Sequence, residues 1–138
     1  MYPLLTTHYS LLTVHRTPVL GIPIDPVTQE EALAHIEGFL RSGRQHHIAT
    51  PNPEMLVEAH KNEAFRRVLQ KTNLNLPDGV GLVWAMKRRI LSSSTRVTGT
   101  DSLLALGQRT QDRVLLLGAA PGVAAKAAEE LTRQNPSI

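Results

Sequence analysis

Leu74-Asn75-Leu76-Pro77-Asp78-Gly79-Val80-Gly81 is the stretch on which the reading of the whole chain turns. Two leucines flank a polar residue, Pro77 cannot continue a hydrogen-bonded ladder, and glycines follow Asp78 before an apolar-periodic run. The pattern predicts a buried strand that ends in a tight turn and feeds a helix. A carboxylate at such a turn stands outside the carboxyl end of a strand, where open α/β sheets place their ligand crevice. That makes Asp78 the first candidate for chemistry. The local pattern leaves a second reading open, an N-cap or Asx-turn aspartate that satisfies the first amides of the helix.

Upstream, His46-His47-Ile48-Ala49-Thr50 reads as another buried strand. Adjacent histidines on a strand point to opposite faces, so this pair cannot chelate one metal, and one of them is free to face a cleft. The following Thr50-Pro51-Asn52-Pro53-Glu54 is stiff, because each proline also restricts the residue before it. Pro53 suits a first helical turn and Asn52 can cap it. The same stiffness would present Thr50 and Asn52 to a ligand, and capping alone accounts for the pattern equally well. Residues 19–24 are apolar and β-branched and begin the sheet, with Pro23 at an edge or bend. Thr28 and Glu31 have capping-box spacing, and Ala32, Leu33, Ile36, Phe39 and Leu40 then form one helical face. Residues 1–17 show no sustained period and read as a poorly ordered leader.

Between the two strands, Met55, Leu56 and Ala59, then Phe65, Val68 and Leu69, give core stripes. Downstream of Asp78, Val80, Val83, Trp84 and Lys87 fall on related turns of a helix, and residues 91–95 are a serine-rich loop. Arg96-Val97-Thr98-Gly99-Thr100-Asp101 opens a further helix with Leu103, Leu104 and Leu106 to bury. Residues 113–118 are the clearest buried strand by composition, and Ala119-Ala120-Pro121-Gly122 turns them into a helix over 123–133. Strands and helices alternating at these lengths predict βαβ units and an α/β fold with a mainly parallel sheet. The last residues, Asn135-Pro136-Ser137-Ile138, fall where another strand should begin. A chain cut there would leave an open sheet edge, so the expectation is a truncated form that is marginally stable, prone to associate and inactive alone.

At 138 residues and 15.2 kDa the chain has the length of one domain. With 41% apolar and 20% charged residues, neither disorder nor a fibrous class fits. The absence of cysteine removes disulfide and thiolate chemistry and fits a reducing compartment. The charge of +3 is mild, Lys87-Arg88-Arg89 is its one cluster, and aromatics make up 4%. This argues against nucleic-acid binding and leaves an acidic small ligand or an anionic membrane surface. No apolar run reaches spanning length, and residues 1–14 make a poor signal peptide because they carry no Lys or Arg.

Familiar signatures fail on inspection. Gly79-Val80-Gly81 is followed at the decisive position by Trp84, where a dinucleotide fingerprint needs a small residue, and residues 118–122 are too short for a P-loop. No helical histidine pair or D-x-D pattern offers a metal site. What survives is a set of residues at strand ends: Thr50, Asn52, Asp78, Arg96, Thr98 and Asp101. Parallel strands would bring them to one edge, beside helix N-termini after Pro53, Gly79 and Asp101 that favour an anion such as a diphosphate. Arg96 supplies a planar fork for phosphate, and Asp78 a base. The sum points to group transfer from a phosphate-bearing donor.

Four motifs in this order, 50–54, 76–81, 96–101 and 116–123, make the chain from about Val19 onward resemble the WecG/TagA/CpsF glycosyltransferases, glycosyltransferase family 26. The resemblance implies that residues 18–138 are the N-terminal part of a Rossmann-like domain. It implies inverting transfer of an N-acetylmannosamine-type sugar from a UDP donor to a polyprenyl-diphosphate-linked amino sugar, without a bound metal or other cofactor. The setting it implies is bacterial cell-surface polymer synthesis, at the inner face of the plasma membrane. By motif position it makes Asp78 the base and Thr50 and Asn52 active-site residues. It places Arg96 toward the diphosphate; Gly79, Thr98 and Asp101, from the reading of the loops themselves, complete the candidate substrate-binding positions. Family members continue past the position of Ile138 into a C-terminal appendage that brings them to the membrane, so peripheral membrane contact is expected only of a full-length form. The alternative is a non-catalytic nucleotide-sugar-binding fragment or pseudoenzyme, and a homo-oligomer is left open.

Overall fold

A two-residue parallel ladder, β3 (Ile48–Ala49) against β4 (Leu74–Asn75), forms the centre of the computed structural model, which describes residues 15–88 and 95–138. Its regular part is short because prolines at 51, 53 and 77 cannot donate. The one-sided bonding nevertheless runs on: Leu76 N–H donates to the Ala49 carbonyl at 2.8 Å and Asp78 N–H to the Pro51 carbonyl at 3.1 Å. The side chains alternate as the pleat requires. Ile48, Leu74 and Leu76 face one apolar cluster, with Val27, Ala32, Ile36 and Val97. Ala49 faces the other, with Ile22, Ile24, Leu56, Ala59, Leu69, Leu82 and Met86. Both faces of the pair are therefore covered, which suits a parallel ladder.

The covering elements follow from local sequence signals. Upstream of the pair lie an antiparallel hairpin, β1 (Thr17–Val19) with β2 (Ile22–Ile24), and then helix α1 (Gln29–Arg41). Leu20 and Gly21, both at positive φ, form its two-residue loop, the turn whose twist suits a tight hairpin. The expected capping box opens α1: Thr28 Oγ1 accepts from Glu31 N–H, and the Glu31 carboxylate accepts from Thr28 N–H at 2.7 Å. Helices α2 (Pro53–Lys61) and α3 (Glu63–Gln70) link the two strands and bury Leu56, Ala59 and Leu69. After β4 come α4 (Val80–Lys87), α5 (Gly99–Gly107) and α6 (Val123–Gln134). Among the described residues no helix is long and apolar enough to cross a membrane.

The α/β class expected from the sequence is observed, and several details are corrected. Residues 19–24 hold the end of β1, the turn and β2 of the hairpin, because Leu20-Gly21 reverses the chain. Among the described residues the sheet content is one parallel and one antiparallel pair, not a mainly parallel sheet. Residues 113–118 are not a buried strand: no ladder holds them among the described residues, and Leu115 and Leu117 are 87% and 95% exposed. An apolar run has nothing to pair with unless a neighbouring strand supplies donors and acceptors. Helix α4 turns Leu82, Val83 and Met86 inward, leaving Val80 and Trp84 outside. Helix α5 buries Ser102 and Gly107, with Leu104 exposed. His46 does not face a cleft; it stacks on Phe39, with ring centroids 4.1 Å apart. The expected leader over 1–17 does not reach its end, because Arg16 binds Asp25 and Thr17 opens β1; its residues 1–14, Arg89 of the basic cluster, and positions 91–94 of the serine-rich loop lie outside the described residues.

Candidate active site at the carboxyl edge of the parallel pair

The loops that follow β3 and β4 meet the segment before α5 at the carboxyl edge of the pair, and their backbones are tied together; Arg96, Thr98 and Asp101 follow α4 and not a strand. Beyond the bond from Asp78 to Pro51, Val97 N–H donates to the Pro77 carbonyl at 3.0 Å. Pro51, Pro77 and Val97 are fully buried, so the edge is stiff as well as stitched. The starts of α2 and α4 lie against each other, and the start of α5 lies against Thr50. A Cβ on Gly79 would stand 3.2 Å from Pro53 Cδ, and one on Gly99 3.4 Å from the Thr50 side chain. Gly79 has φ +104°, a conformation that side chains rarely adopt, so its close approach and its backbone both call for glycine.

The candidate residues divide by what they do there. Asn52 caps α2, its Oδ1 accepting from Met55 N–H at 2.9 Å. Thr98 caps α5: its Oγ1 accepts from Asp101 N–H at 3.0 Å and donates to the Asp101 carboxylate at 2.7 Å. Helix α5 thus begins at Gly99, before Asp101 rather than after it. Asp78 does not cap. The N-cap of α4 is Gly79, with no side-chain bond to its first turn, so the capping reading of Asp78 fails. Its carboxylate instead stands 3.9 Å from Arg96 Nε, longer than a direct hydrogen bond, with both side chains partly open to solvent. Of the three converging helices, only α4 leaves its N-terminus without a side-chain cap. Its first amides and partial positive charge therefore remain available to an anion beside Arg96. The structure brings Thr50, Asn52, Asp78, Gly79, Arg96 and Thr98 to one edge, with Asp101 held against Thr98.

Behind the edge lies a buried polar anchor that the sequence reading passed over. Asp25 accepts from Arg16 Nε and Nη2 and, through Oδ2, from Asn75 N–H at 2.6 Å. The Asn75 amide donates to the Pro23 and Leu69 carbonyls, both at 2.8 Å. Asn75 is wholly buried and three residues from Asp78, so this network fixes the strand that presents the carboxylate. The signal was the polar residue in Leu74-Asn75-Leu76. A groove of about 400 Å³ lined by Arg41, Arg109 and the ends of α1 and α5 includes none of the candidate residues. Its charges are already occupied: Arg109 pairs with Glu30 at 3.0 Å and Glu37 at 3.7 Å, and Arg41 with Glu37 at 3.9 Å. The Arg109 hydrogen bond and charge hold the Glu30 carboxyl below its ordinary range. Among the described residues no cluster of three His, Asp or Glu side chains could hold a metal.

A carboxylate, a guanidinium and a helix N-terminus without a side-chain cap meet at the strand edge of this α/β chain. Residues 17–138 match the glycosyl transferase WecG/TagA/CpsF family, and the chain belongs to it. It is 34% identical over 110 residues to an N-acetylglucosaminyldiphosphoundecaprenol N-acetyl-beta-D-mannosaminyltransferase of Bacillus spizizenii, a stretch covering 77% of this chain and 43% of that one. The protein of the same description from Bacillus subtilis is 30% identical over 94 residues, covering 66% and 37%. The chain thus spans less than half the length of these relatives.

Proposed function

We propose that this chain carries the acceptor-activating part of an inverting glycosyltransferase site on a Rossmann-like domain over residues 18–138. The sugar is of the N-acetylmannosamine type, the donor a UDP-sugar, and the acceptor a polyprenyl-diphosphate-linked amino sugar. Asp78 takes the proton from the acceptor hydroxyl, whose oxygen bonds the anomeric carbon. The bond from that carbon to the diphosphate oxygen breaks, and UDP leaves with the electron pair. Arg96 and the open amides of α4 stabilise the charge that develops on the diphosphate. Thr50 and Asn52 line the edge and hold the acceptor. The activity belongs to cell-surface polymer synthesis at the cytoplasmic face of the plasma membrane.

The observation that carries this reading is the pairing of Asp78 with Arg96 beside the uncapped N-terminus of α4. The names of the relatives supply the sugar and the acceptor. Calorimetric titration of UDP tests the anion half of the site. Arg96→Ala should weaken binding by about 1.5–3 kcal/mol, the worth of a hydrogen bond to a charged group. Arg96→Lys, which keeps the charge and loses the fork, should fall in between. Unchanged affinity in Arg96→Ala would place this residue on a merely solvated face.

A further inference from the structure

Helix α4 is apolar on both sides. Leu82, Val83 and Met86 enter the core, yet Val80, Trp84 and Arg88 line the outer face at successive turns, with Val80 76% and Trp84 60% exposed. A helix with apolar residues all round is normally buried, so its outer stripe calls for a cover. The Arg88 guanidinium lies over the Trp84 indole, 4.7 Å from its centroid. Neither Lys87 nor Arg88 forms an ion pair among the described residues.

Charge along the sequence identifies the cover. Residues 79–100 hold four basic residues, Lys87, Arg88, Arg89 and Arg96, and no acidic one. Outside this stretch eleven basic residues face twelve acidic ones, so the whole net charge of +3 resides here, with the chain's single tryptophan. An exposed indole and aliphatic side chain flanked by unpaired cations match the chemistry of an anionic bilayer surface. Nucleic acid fits less well, because Val80 offers nothing to a base and no second aromatic extends the stripe.

We infer that the Val80, Trp84 and Arg88 stripe of α4, with Lys87, is a docking surface for an anionic lipid bilayer. The stripe starts two residues past Asp78, so docking would hold the candidate site at the membrane plane. The inference stands on this surface and not on the transfer reaction, and vesicles without acceptor test it.

Trp84 reports the outcome directly, being the only tryptophan. The 138-residue chain is titrated with vesicles of equal parts phosphatidylglycerol and phosphatidylcholine, and with pure phosphatidylcholine. A blue shift of the emission on the anionic vesicles alone is expected. Lys87→Gln/Arg88→Gln should weaken that binding roughly 25-fold, at about fivefold per cation removed. Lys61→Gln, an exposed cation on α2, should leave it unchanged, and far-UV circular dichroism should show both variants folded. The proposal is overturned by no shift on anionic vesicles, by an equal shift on neutral ones, or by an equal loss in Lys61→Gln. It is equally overturned by a shift that tracks protein concentration without lipid, which would make a second copy the cover, or by one produced only by a single-stranded oligonucleotide.

Discussion

Removing the Asp25 carboxylate tests how the strand that presents Asp78 is held. In Asp25→Ala, Asn75 N–H loses its 2.6 Å acceptor in a wholly buried position, and Arg16 loses three contacts between 2.8 and 3.1 Å. Breaking a buried ion pair by deleting one partner costs about 3–5 kcal/mol. Arg16 keeps its bond to the Thr72 carbonyl, and its side chain is 27% exposed, so water can take up part of the loss. The lower end, about 3 kcal/mol, is therefore expected, and for a chain of this length it lowers Tm by on the order of 10 °C. Asp25→Asn keeps an acceptor for Asn75 and should lose less, about 1–2 kcal/mol. Urea unfolding followed by far-UV circular dichroism measures both. A loss below about 1 kcal/mol in Asp25→Ala, within the range of an ordinary surface pair, would refute the anchor.

Gly79→Ala should destabilise by about 1–3 kcal/mol through its positive φ, and more if Pro53 cannot give way to the new Cβ; equal thermal midpoints would show that the turn relaxes freely. Glu130, hydrogen-bonded first by Arg133 and then by Gln134, is held at a pKa of about 2. Its folded value is depressed, so any stability it contributes is present above the ordinary carboxylate range and lost as pH falls toward 2. Titration of the Glu130 side chain by NMR checks this, and an ordinary value would contradict the pairing.

The parts of the fold legible in sequence were those set by local chemistry. The Thr28 and Glu31 box and the Asn52 cap stand where propensity and spacing put them, because each depends on neighbours within a few residues. The 113–118 segment did not, since an apolar run becomes a strand only when another backbone meets it. Helix α4 misled for a related reason: apolar residues on two faces leave the periodicity undecided, and packing against the hairpin chose Leu82 and Met86 over Val80 and Trp84. At the site, sequence placed the loops on one edge but could not distinguish caps from free groups. Thr98 and Asp101 satisfy each other, whereas Asp78 was left uncommitted by the glycine that took the cap position. The link from Arg16 through Asp25 to Asn75 spans 59 residues and leaves no periodic trace.

Asp78→Asn, in a polypeptide that extends this chain to the length of its relatives, tests the central claim most directly. The measurement pairs sugar transfer from UDP-N-acetylmannosamine to a short-chain lipid-diphosphate acceptor with UDP titration of the same protein. A positioned base contributes roughly 10²–10⁴-fold, so transfer should fall by about that factor while UDP affinity is retained. Transfer near the unmodified rate in Asp78→Asn would contradict the account, because the proton of the acceptor hydroxyl would then be leaving by another route.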